Sequence, residues 1–122
     1  MNVALKLAAA TEAATGLMLV AYPPLVTRLL FGAGVTGLAE VVSRFAGIAL
    51  LGLGVACWPG AHSARIGMGV YGVLAALYLA IVGLGGGFAG VLLWPAVAAH
   101  VVLVVLLLRE RSGAAKAEGG RA

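Results

Sequence analysis

VALKLAAATEAATGLMLVAY, residues 3–22, is an almost unbroken apolar run with one carboxylate, Glu12, near its middle. About 20 helical residues cross the ~30 Å hydrocarbon core of a bilayer, so this run has the length of one span. Three later runs have the same character: residues 38–58, 66–84 and about 88–108. They are continuous and rich in Ala, Leu and Gly, whereas a transmembrane strand would alternate every two residues. Backbone groups in lipid must be satisfied within their own segment, so each run predicts a helix.

Composition points the same way. Of the 122 residues, 63% are hydrophobic and only 10% are charged, against roughly 25% charged in soluble domains. A soluble fold of this length could not bury that much apolar surface. The expected architecture is therefore an all-α, integral membrane four-helix bundle occupying residues 1–108, followed by a flexible cytoplasmic tail over residues 109–122. Pro23 and Pro24 open the first connection, and the segment from Leu25 to Phe31 is apolar apart from Thr27 and Arg28. Proline at a helix start and a polar edge on an apolar turn predict a short interfacial helix between the first two spans. The connection from Gly83 to Gly90, with Gly85, Gly86 and Gly87 in succession, is expected to be flexible.

Four spans place both ends of the chain on one side. That side carries Lys6, Arg65, Arg109, Arg111, Lys116 and Arg121, and the other carries Arg28. Such a bias predicts cytoplasmic termini. The net charge of +4 is then a topology signal, and no soluble basic face is left for nucleic acid. The lipid bilayer is the expected partner, together with a second copy of the chain or a larger membrane protein.

Ionisable groups inside spans are costly and are kept where they pair, face the bundle interior or do chemistry. Glu12, Arg44 and His100 are such groups. Counted along the helices from the cytoplasmic side, Glu12, Tyr71 and His100 fall in one layer, and Arg44 and Tyr78 in a deeper one. Ala4, Ala8, Glu12 and Gly16 share one stripe, and small residues mark close helix contact in membranes. Glu12 then has alternative roles: an ion pair with Arg44, a proton or cation site, or a lipid-facing position. Arg44 could instead pair with Glu40, four residues earlier on the same face. In that case Glu12 is left buried without its counter-ion.

No Ser-His-Asp spacing, metal constellation or nucleotide loop accompanies these residues. The expectation is a non-enzymatic accessory or small-ligand-binding membrane protein without cofactor or metal. Proton-coupled transport by an oligomer and membrane enzymology on a lipid or quinone are the alternatives. The candidate binding or proton-site residues are Glu12, Arg44, His100, Tyr71 and Tyr78, with Glu40 as a second ion-pair candidate.

The runs PLVTRLLFG (24–32), RFAGIALL (44–51) and LWP (93–95) resemble small uncharacterised four-span bacterial membrane proteins over nearly the whole chain. That resemblance implies the bacterial inner membrane. In length, span number and the position of Glu12, the chain also resembles the small multidrug resistance transporters. It departs from their third-span aromatic and glycine pattern, and Arg44 and His100 have no counterpart there. This second likeness implies proton-coupled efflux with Glu12 as the proton site.

Overall fold

A computed structural model describes residues 3–121, without the side chains of Arg111 and Ala114; residues 1, 2 and 122 of the segments above lie outside the described residues. Strong helix formers fill the first run, which folds as α1 (Val3–Ala21). Pro23 and Pro24 cannot continue it and instead start α2 (Pro23–Phe31). Gly32 closes α2 in a left-handed conformation, φ 78°, its N–H donating to the Arg28 carbonyl, as a C-terminal glycine does. α3 (Leu38–Cys57) ends at Trp58–Pro59–Gly60, α4 covers His62–Gly85, and α5 covers Leu93–Gly119. Among the described residues, four of the five helices, α1, α3, α4 and α5, are long and apolar enough to cross a membrane.

α1 is the hub. It buries Ala4, Leu5, Ala8, Ala9, Glu12 and Gly16, more than any other helix. One side packs against an antiparallel α3 at backbone contact. A Cβ on Gly16 would stand 2.5 Å from the Gly47 oxygen, one on Gly47 2.7 Å from the Gly16 oxygen, and one on Gly54 2.5 Å from the Ala9 oxygen. Only hydrogen in place of a side chain permits this approach. Its other side meets the antiparallel pair α4–α5 through Ala4, Ala8, Met68 and Leu107. The outward faces carry Phe45, Leu77, Ile81 and Val102, each more than half exposed. An apolar exterior of this extent is foreign to a water-soluble monomer.

The fourth long helix differs from its sequence-based boundaries. It begins at Leu93, five residues later than the apolar run, and continues through the segment read as a flexible tail as far as Gly119. At its start, residues 88–92 are engaged elsewhere. The N–H of Gly90 donates to the Leu30 carbonyl (2.9 Å) and that of Leu92 to the Leu29 carbonyl (2.8 Å). These carbonyls belong to the last turn of α2, where intrahelical donors run out. Gly90 lies against the Leu29 carbonyl without space for a Cβ. The glycine-rich connection is thus tied at one end to α2. At the other boundary, Ala114, Ala115, Lys116, Ala117 and Glu118 are good helix formers, and they extend α5 without a break.

Candidate functional site

Glu12 is 3% exposed. Three stripes at helical spacing enclose it: Ala4–Ala8–Glu12 on α1, Met68–Tyr71–Gly72 on α4, and His100–Leu103–Leu107 on α5. The Tyr71 hydroxyl donates to Glu12 Oε2 at 3.0 Å. His100 Nε2 lies 3.3 Å from Glu12 Oε1, and its Nδ1 lies 2.7 Å from the Ala96 carbonyl oxygen. The Tyr71 and His100 rings are tilted by 60° with centroids 5.9 Å apart, within the range of favourable aromatic contact. A carboxylate, a phenol and an imidazole from three helices therefore form one connected chain.

Its proton balance follows from donor and acceptor types. A carbonyl only accepts, so Nδ1 of His100 carries a hydrogen. Nε2 is buried and meets no acceptor or donor in hydrogen-bond geometry; the facing Oε1, at 3.3 Å, is an acceptor when ionised. A proton placed on either group would make the contact a hydrogen bond, glutamic acid donating to neutral imidazole or imidazolium donating to carboxylate. The two descriptions belong to the pair as a unit. At 3.3 Å this contact is looser than a tight charge-assisted bond, and the Tyr71 bond is the firmer of the two. The space left beside the three side chains is only about 10 Å³, one water at most.

The deeper polar layer expected from the sequence does not form. Arg44 pairs with Glu40, Nη2 to Oε1 at 2.8 Å, and its side chain is 49% exposed on the outer surface of α3. The cause is stagger between the helices. Gly16 faces Gly47 and Leu51, and Ala9 faces Gly54, so Glu12 lies opposite about residue 53. Arg44 is about nine residues further along, roughly 13 Å, beyond the reach of an ion pair. Depth counted from flush helix ends ignores this stagger, and so brings the two within reach of an ion pair. Tyr78 is 65% exposed and lines a separate groove beside Thr27, Phe31 and Phe88. Of the candidates, the structure brings together Glu12, Tyr71 and His100, and leaves Arg44, Glu40 and Tyr78 outside.

A second polar knot was missed. Glu110 Oε1 accepts the backbone N–H of Ala4 at 3.0 Å, and its Oε2 lies 3.5 Å from Arg65 Nη1. The same Arg65 nitrogen also reaches the Leu107 carbonyl at 3.5 Å. The first-turn amides of α1 have no intrahelical acceptor, and a carboxylate there also meets the positive end of the helix dipole. The signal was present: His100, Leu103, Leu107 and Glu110 repeat at three, four and three residues, so the buried stripe of α5 runs on into the charged segment. Glu110→Ala is expected to lower stability by about 1–2 kcal/mol, as loss of a helix cap does. Glu110→Gln, which still accepts the Ala4 N–H, is expected to recover at least half of that. Denaturant titration in mild detergent, followed by circular dichroism, measures both.

Fold and site together define a small helical protein with four membrane-length helices, three of which, α1, α4 and α5, meet at an interior Glu–Tyr–His cluster. No protein-family model, curated protein or solved structure matches the chain.

Proposed function

We propose that the chain is a multi-pass protein of the bacterial inner membrane and acts there as a non-enzymatic accessory subunit. In this reading Glu12, Tyr71 and His100 fasten its helices together and handle no substrate. One observation carries it: the polar cluster is enclosed, with about 10 Å³ of free space beside it, far below the several hundred Å³ of a ligand pocket. Interhelical hydrogen bonds of this kind fix helix position and rotation in a medium where apolar contact alone discriminates poorly.

The charge distribution supports an orientation with both ends of the chain in the cytoplasm. Arg65, Arg109 and Lys116 lie at the end of the bundle where α1 starts, and Arg28 lies at the opposite end. On this reading α2 lies in the outer interface, its apolar side on α1, α3 and α5. The accessory role is tested by purifying the full chain from native membranes in mild detergent. Stable recovery with a larger membrane protein is expected. Recovery only as a single species would contradict it.

The buried carboxylate–imidazole contact between Glu12 and His100 favours a second reading, proton-coupled transport by an oligomer. Glu12→Gln separates the two, because an amide supplies a permanent N–H to Nε2 and still accepts from Tyr71. The variant keeps the clasp and ends proton exchange. If reconstituted wild-type protein moves protons across vesicles and the folded glutamine variant does not, transport is the function. If neither does, the clasp is structural.

A further inference from the structure

Apart from the Glu12–Tyr71–His100 cluster, α4 and α5 border a groove of about 380 Å³, with apolar walls that include Gly69, Val73, Val104 and Leu108. Gly69 has open space where a side chain would be, and this absence deepens the groove. Arg65 bounds one end. Leu108 closes that end and also begins a face of α5 that carries Arg109, Ser112 and Lys116. The apolar channel is thus continuous with a cationic surface, and the nearby Glu110 is engaged by Ala4 and Arg65.

Length discriminates between occupants. From Arg65 to Leu74 the groove follows α4 for about 13 Å. That is close to half of a ~30 Å hydrocarbon core, the depth of one leaflet. A partner's transmembrane helix would need a contact surface twice as long. Further along, α4 and α5 close against each other, with a Cβ on Gly83 meeting Leu93 and the Trp94 ring at under 3 Å.

We propose that the α4–α5 groove binds one anionic phospholipid of the cytoplasmic leaflet, an acyl chain lying along Gly69, Val73 and Val104 and the headgroup phosphate held by Arg109 and Lys116. Basic residues at the cytoplasmic mouth of an interhelical groove suit anionic headgroups, and the inference rests on the membrane orientation proposed above.

The test uses the full chain in a neutral detergent, with phosphatidylglycerol or phosphatidylcholine of identical acyl chains added and retention read by native mass spectrometry. Phosphatidylglycerol is expected to bind about thirtyfold more tightly at low salt, the factor two basic residues supply near a membrane surface. The exposed-site variant Arg109→Ala with Lys116→Ala is expected to reduce that preference to about threefold or less. Gly69→Leu, which fills the groove, is expected to weaken both lipids. Equal binding of the two lipids by the wild type, or an unchanged preference in the double variant, overturns the proposal. Displacement of bound phosphatidylglycerol by glycerol phosphate alone, or occupation of the groove by a second copy without lipid, overturns it as well. Failure of the membrane reading looks different: the chain would be released from native membranes by alkaline carbonate, whereas a chain that resists extraction but binds both lipids alike fails only here.

Discussion

Glu12→Ala is expected to destabilise the folded chain by about 3 kcal/mol, while Glu12→Gln stays within about 1 kcal/mol of the wild type. The alanine variant removes the acceptor of the Tyr71 hydroxyl and the partner of His100 Nε2. Interhelical hydrogen bonds in membranes average ~0.6 kcal/mol and reach ~1.7. A buried polar group left unpaired costs about 1–3 kcal/mol, and truncation of a packed side chain adds a cavity cost. Glutamine preserves shape and both contacts, because its carbonyl accepts from Tyr71 and its amide donates to the imidazole. Unfolding by a denaturing detergent, followed by tryptophan fluorescence, separates the variants. Equal stability of Glu12→Ala and wild type would mean that the clasp does not hold the bundle.

The second large effect is expected at the α1–α3 contact. Gly16→Ala places a methyl against the Gly47 carbonyl at 2.5 Å and the Leu51 nitrogen at 2.6 Å. Both are backbone atoms and cannot rotate away, so the helices must separate. Overpacking of this kind costs about 1–3 kcal/mol, and alanine's better helix propensity returns up to about 1. The net loss is expected to be about 1–2 kcal/mol, and larger for Gly16→Leu. Gly52→Ala is the control, since its added carbon meets nothing within 4 Å; it is expected to be neutral or stabilising by up to about 1 kcal/mol. If both alanine variants behave alike, α1 and α3 are not in backbone contact.

Much of this architecture is legible in the residue pattern. The first two long helices match their apolar runs to within one residue, because proline at 23 and 59 and glycine at 60 stop them sharply. α5 was misplaced because composition does not distinguish an apolar span from an apolar loop. Phe88, Val91 and Leu92 look like span residues, but their segment donates to the exposed carbonyls ending α2. That pairing depends on where α2 lies in space.

The site divides along the same line. Glu12, Tyr71 and His100 could be grouped because depth counted along each helix from one side puts them in one layer, and the stripe of small residues around Glu12 marks its inward face. The Glu12–Arg44 pair was a statement about two helices and their relative offset. That offset is set by where Gly16, Gly47 and Gly54 interlock, not by the helix ends. The local alternative, Arg44 with Glu40 at four residues' separation, depended only on α3, and it is the one observed. Glu110 was overlooked for a simpler reason: its neighbours are charged, and a charged segment was read as tail.

A double-mutant cycle on stability in mild detergent addresses the clasp most directly. Glu12→Ala and Tyr71→Phe are expected to be coupled by about 0.5–2 kcal/mol, as residues in one hydrogen-bonded network are, while Glu12→Ala and Arg44→Ala are expected to be additive. Additivity of the first pair, or coupling of the second, would contradict a carboxylate held by phenol and imidazole at the centre of the bundle.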